Sequence, residues 1–150
     1  MKDIFTEEVT NGLIERIQQL NHESKSHWGV MNVSQMLAHC SVTYEFVYES
    51  IHARPNFFMK LLLKLIVKPF VVNEVPFKKN LKTAPAFIMT DKKEFEVEQG
   101  RLIAYMQRTQ KLGKDYFEGK ESHSFGKLNK QEWNNMFFKH LDHHLMQFGV

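Results

Sequence analysis

The chain has 150 residues, 43% of them hydrophobic and 25% charged, enough for one domain, 1–150, with a single sizeable core. Its formal charge of +3 falls well short of the clustered Lys and Arg faces that track nucleic-acid backbones, so no nucleic-acid partner is expected. One cysteine, Cys40, excludes an internal disulfide framework and a multi-cysteine zinc site.

The amino terminus, MKDIFTEEVTNGLIERIQQL, alternates charge with apolar residues and lacks the apolar run and cleavage site of a signal peptide. The reducing cytoplasm is therefore the expected compartment. A first helix is predicted over about 7–21: Thr6 can cap it, Glu7 and Glu8 suit its amino-terminal dipole, and Val9, Leu13, Ile17 and Leu20 recur at helical spacing. A second is predicted over about 33–52, with Asn32 and Gln35 as a capping box. Val33, Leu37, Cys40, Tyr44, Val47 and Ile51 form its broad face, and Met36, His39, Thr43 and Phe46 extend that face around one flank.

A short amphipathic helix follows around 57–68; Lys60 and Lys64 interrupt its apolar run, which is too short to span a bilayer. Pro69, Pro76 and Pro85 then forbid a continuous helix, and 69–90 reads as an ordered connection crossing the bundle. Asp91 and Glu94 are spaced to cap a third long helix that carries Phe95, Leu102, Ile103 and Met106 inward and ends at Gly113. Asn129 and Glu132 open the fourth, which runs nearly to Val150. The fold class is all-α.

At about 100° per residue, the last helix gathers Trp133, Met136, Phe137, His140, Leu141, His144, Leu145 and Phe148 on one face. Asp142 points opposite and His143 lies at a margin. An unpartnered buried imidazole costs on the order of 1–3 kcal/mol, so two of them one turn apart need a reason. Side chains four apart stack on one helix face, and both imidazoles can then reach a single cation. Backbone carbonyls, waters or carboxylates would serve as partners too, and His140 and His143 form a second, less central pair. A firm metal site needs another ligand. His22, His27, His39, His52, His123 and Cys40 are the candidates, and only His39 lies well inside a core helix. His22 and His27 flank a helix end, His52 suits a carboxyl-terminal dipole, His123 reads as a surface loop residue and Cys40 as core packing.

WGVMNVSQMLAHC, PFKKNLKTAPAF and FGKLNKQEWNNMFFKHLDHHLMQF together resemble an uncharacterised family of DinB-like domains within the DinB/YfiT-like metalloenzyme superfamily, over nearly the whole chain. The resemblance implies an up-down-down-up four-helix bundle, here with an extra short helix and an irregular connection. It also implies a divalent metal held by His39, His140 and His144, with His144 preferred to His143 because Gln147 completes the family's His-x-x-Gln ending. Relatives often carry a proline ahead of the Phe-Gly pair, where this chain reads ESHSFGKL.

Three neutral imidazoles leave coordination positions open, as in catalytic rather than closed structural sites. Zinc or nickel suits such donors, and an ion there activates water or a thiol. The expected function is a divalent-metal-dependent enzyme acting on a small-molecule substrate, a transferase or hydrolase; the resemblance favours chemistry with a low-molecular-weight thiol. Glu45, Tyr44 and Tyr48 follow His39, but none stands out as a general base. The alternative is a non-enzymatic bundle with a structural metal or a histidine-supported dimer interface. An exposed apolar 57–68 face would favour a homodimer. A third reading takes Lys60, Lys64, Lys68, Lys78, Lys79 and Lys82 as a membrane-surface segment, against which Glu74 and the prolines weigh.

Overall fold

The computed structural model describes residues 1–150 and is mostly helical, with one short hairpin. Helix α1 spans Glu7–Gln18, with Thr6 accepting from the Val9 amide. Helix α2 spans Val33–Tyr48 behind a complete capping box, Asn32 and Gln35 each bonding the other's backbone N–H. Both starts fall where the sequence places them. Both ends come early.

The difference at the end of α2 has an electrostatic cause. Glu49 is extended, and the chain turns so that His52 meets the buried Glu45 carboxylate at 2.6 Å. Arg101 also binds Glu45 and joins it to Glu98. A buried carboxylate needs such partners, and His52 reaches it only from outside the helix. Ile51, expected on the inner face, is 68% exposed in consequence.

Helix α3, Phe57–Leu62, continues through a π-helical turn, Leu63–Val67, into α4, Lys68–Val71. The helical run thus extends past Pro69. At the π turn the Lys68 N–H reaches back to the Leu63 carbonyl, and Pro69 falls in the first turn of the restarted helix, where its missing N–H is tolerated. The outer side of this run is bare: Phe57, Phe58, Leu65 and Ile66 are all exposed. No helix is long and apolar enough to cross a membrane.

Residues 72–94 are irregular apart from a 3-10 turn, Pro85–Phe87. Helix α5 spans Phe95–Leu112 and stops at Gly113, whose φ of 73° glycine tolerates best. The expected Asp91–Glu94 capping box does not form: Glu94 is the N-cap residue, but its side chain makes no capping bond and lies beside Lys92. A 3-10 turn at Lys114–Phe117 leads to strands β1, Glu121–Ser122, and β2, Gly126–Lys127, paired antiparallel. Helix α6, Lys130–Gln147, begins with the Asn129–Glu132 capping box.

The long helices share one core. Helix α2 packs on α5 and α6, and α1 packs on the same two. Ile17, Met36, Leu37, Leu102, Phe117, Trp133, Phe137 and Leu145 are buried at their meeting place. Helix α6 is buried on more than the predicted stripe. Asn134 receives the Ile4 amide and donates to the Lys2 carbonyl, while Asn135 donates to the Val72 carbonyl. Lys139 is 3% exposed, with Nζ on the Phe70 and Asn73 carbonyls and on Asn73 Oδ1. Desolvation lowers its pKa to about 8. These polar residues tie the amino terminus and the end of α4 to the helix that carries the histidine pair.

The two capping sites should separate in a chemical-denaturation series. Asn129→Ala removes a formed cap and should cost about 1 kcal/mol, whereas Asp91→Ala should stay within about 0.5 kcal/mol of the parent.

Candidate metal centre

Helices α2 and α6 place His39 directly against His140 and His144. The ring centroids are 4.9 Å apart for His39–His140, 4.5 Å for His39–His144 and 4.9 Å for His140–His144. One ring nitrogen from each can be chosen so that all lie within 4.8 Å of one another. His39 and His144 are buried, and His140 keeps partial exposure towards a cavity.

Each ring is held by its Nδ1. His39 Nδ1 lies 2.8 Å from the Phe87 carbonyl oxygen. A carbonyl only accepts, so His39 carries its proton on Nδ1 and presents a bare Nε2. His144 Nδ1 lies 2.7 Å from Gln147 Oε1, while Gln147 Nε2 donates to the Trp28 carbonyl. That second bond orients the amide and makes its oxygen the acceptor, which leaves His144 Nε2 bare as well. His140 Nδ1 meets the Thr43 hydroxyl at 3.0 Å. A hydroxyl donates or accepts, so either tautomer of His140 is satisfied there.

The inner contact shows why this freedom matters. His39 Nε2 and His140 Nε2 are 3.0 Å apart. Two lone pairs at that distance repel, so with nothing between them His140 supplies the Nε2 proton and Thr43 donates to its Nδ1. An ion would take the place of that proton: His140 would then carry its hydrogen on Nδ1, with Thr43 accepting it, and each of the three rings would offer an Nε2 lone pair. The donor set therefore fits a divalent metal, with ring orientation set by outer hydrogen bonds as metal-binding imidazoles require.

Electrostatics agrees. Desolvation is the first cause lowering the pKa of all three: His39 and His140 fall below 6.5, His140 well below, and His144 falls to about 3. The neighbouring rings lower His140 and His144 further, because two imidazolium charges cannot share so small a space. The trio is neutral at pH 7, the state a cation needs.

Local sequence explains the Trp-Gly pair. Gly29 has φ of 80°, and a Cβ there would lie 2.6 Å from Gln147 Nε2. Any side chain at 29 would displace the amide that holds His144. The His27 amide donates to the Gln147 carbonyl at 2.8 Å, fastening the same loop a second time.

The remaining candidates lie elsewhere. His22 pairs with Glu96 in an exposed contact, and His27 is exposed. His52 belongs to the Glu45 cluster rather than to a helix terminus. Cys40 is buried against Met36, its thiol pushed up by desolvation. His123 departs from the expected surface role: it is partly buried, stacked on Phe46 at 4.1 Å, because the hairpin folds over α2. His143 lies between Trp28 and Phe77, outside the cluster. Tyr44 is stacked in the core, Tyr48 bonds Thr109, and Glu45 is ion-paired, so none of these three is free to act as a base. Thr43 and Phe87 are the partners that ligand-directed reading passes over. Thr43 carries a signal, one turn from His39 on the same flank. The Phe87 carbonyl carries none, since any residue supplies one.

The three histidines line a cavity of about 670 Å³, whose walls include Phe46, Val67, Phe77, Phe87 and Met136. Helical elements around a buried three-histidine cluster that opens into an apolar cavity define the class of protein. Residues 6–149 match the model of a family described as a protein of unknown function, DUF1569, and the chain belongs to that family. No curated protein and no solved structure matches it.

The lowered histidine pKa values set a pH dependence. Where a histidine's folded pKa lies below 6.5, the unfolded chain binds more protons, so stability is complete above about pH 6.5 and declines as pH falls; for His144 the decline continues to about pH 3. Urea unfolding of chelator-treated protein should show decreasing stability from pH 8 to pH 5, with a shallower decrease in His144→Gln. Equal slopes would contradict the assignment.

Proposed function

We propose that the chain is a divalent-metal-dependent enzyme of the DinB/YfiT-like type, an up-down-down-up four-helix bundle with His39, His140 and His144 as metal ligands. The carrying observation is that these side chains meet in the lining of a cavity with two Nδ1 atoms committed to acceptors and the third facing an adaptable hydroxyl. Zinc or nickel suits three imidazoles. When bound, the ion supplies Lewis-acid activation of water or of a thiol, which places hydrolysis and thiol-dependent transfer within reach.

The chain's own residues prepare that chemistry. Phe87, Thr43 and Gln147 hold the imidazole planes, so little reorganisation accompanies binding. Phe46, Phe77, Phe87 and Met136 give the cavity low-dielectric walls and limit bulk water, which strengthens electrostatic interactions at the cluster. His140 retains exposure on the cavity side, where a substrate would approach. A low-molecular-weight thiol fits as co-substrate in the same space.

The open cavity favours this reading over a structural metal, which would be closed off by protein ligands. The inward setting of the histidines likewise counts against a dimer interface built on them.

Purified protein should take up about one equivalent of zinc or nickel, measured by elemental analysis after dialysis. His39→Ala, His140→Ala and His144→Ala should each lose most of it, while His143→Ala and His123→Ala keep it. Metal should also raise the melting temperature of the parent. Stoichiometric uptake by the His39→Ala/His144→Ala double variant would refute the ligand assignment. Loss of thiol-transfer or hydrolase turnover on chelation, with the fold retained by circular dichroism, would separate a catalytic from a structural ion.

A further inference from the structure

The charge distribution around the cavity is one-sided. The chain contains 17 Asp and Glu residues, yet no carboxylate lines the cavity. The nearby acids are engaged elsewhere: Glu45 is held by Arg101 and His52, and Asp142 by Arg16. Two lysines do line it, Lys78 and Lys82, both exposed and both from the irregular connection. Neither forms an ion pair. Other lysines of the region are neutralised within the chain, Lys60 by Glu121 and Lys68 by Glu132.

The walls impose a second requirement. Apolar side chains, Phe46, Phe77, Phe87 and Met136 among them, make up most of the walls, with Asn80, Thr83, Ser122 and Ser124 as a smaller polar share, and the volume of about 670 Å³ is that of a pocket for a drug-sized molecule. A sugar would leave most of its polar groups unsatisfied against such walls. An apolar body suits them. Unpaired positive charge at a low-dielectric mouth attracts anions and repels amines.

We infer that the cavity binds an apolar molecule bearing an anionic group, its body against the Phe46–Phe77–Phe87–Met136 wall and its charge at Lys78 and Lys82. The inference rests on the cavity being the substrate pocket of the proposed enzyme, and it names that substrate's class: an aliphatic or aryl carboxylate, or an acid of similar charge. Recognition by the lysines precedes any role of the ion, so it is measurable without one.

Calorimetric titration of the full chain with octanoate and with octylammonium tests this, in chelator-treated and zinc-supplemented protein whose metal content is measured in the same samples. Octanoate should bind the metal-free protein about tenfold or more tighter than octylammonium, and Lys78→Glu/Lys82→Glu should abolish or reverse that preference. Met136→Trp, which fills the cavity, should block octanoate; if circular dichroism shows that variant misfolded, Ala84→Trp on the exposed rim takes its place. Equal affinity for the two ligands, a preference untouched by the glutamate pair, or binding that survives the filled cavity would each overturn the inference. An octanoate preference that appears only with zinc would also overturn it, by assigning the anion to the ion. Failure to take up metal, with the octanoate preference intact, would count against the ligand assignment and leave the binding site standing.

Discussion

An imidazole has two nitrogens and, when neutral, one proton, so fixing the proton on one nitrogen frees the other. The site depends on that constraint. His39 is fixed by a carbonyl of the irregular connection and His144 by an amide whose own orientation is set by the Trp28 carbonyl. The helix pair alone would bring three rings together. It is the connection and the loop before α2 that determine which nitrogens face inward.

Gln147 carries more of this than its position at the end of α6 suggests. Its side chain bridges His144 and Trp28, and its backbone carbonyl accepts the His27 amide. The α1–α2 loop is thereby tied to the last helix at the same point where the His144 ring is oriented. Gly29 belongs to the same arrangement, because the amide occupies the space a Cβ would need. Loop conformation and ring orientation are coupled, and a disturbance in either is transmitted to the other.

The opposite side of α6 holds the cavity wall in place. Lys139 keeps a buried ammonium by giving it three oxygen acceptors from Phe70 and Asn73, and Asn135 adds the Val72 carbonyl. These bonds collect carbonyls from the frayed end of α4, where intrahelical donors have run out. The segment ending there lines the cavity with Leu63, Val67, Phe70 and Val71 while its other face stays uncovered. Lys139, with Asn135 and the Lys68–Glu132 ion pair, therefore links the end of α4 to α6.

The sequence alone determined the helical class, the starts of α1, α2 and α6, the stop at Gly113 and the presence of His140 and His144 on one face. These are local properties: a capping side chain acts on an amide three residues away, and helical periodicity needs no distant partner. The resemblance added His39 as the third member, and the rings do meet. The early end of α2, the helix continuing past Pro69 and the inward turn of His123 were decided by tertiary structure, since each answers to a group distant in sequence or to space opened by another element. The same holds for the proton positions in the cluster. Phe87 supplies a backbone oxygen, which no residue type advertises, and only the folded chain brings it within 2.8 Å of His39.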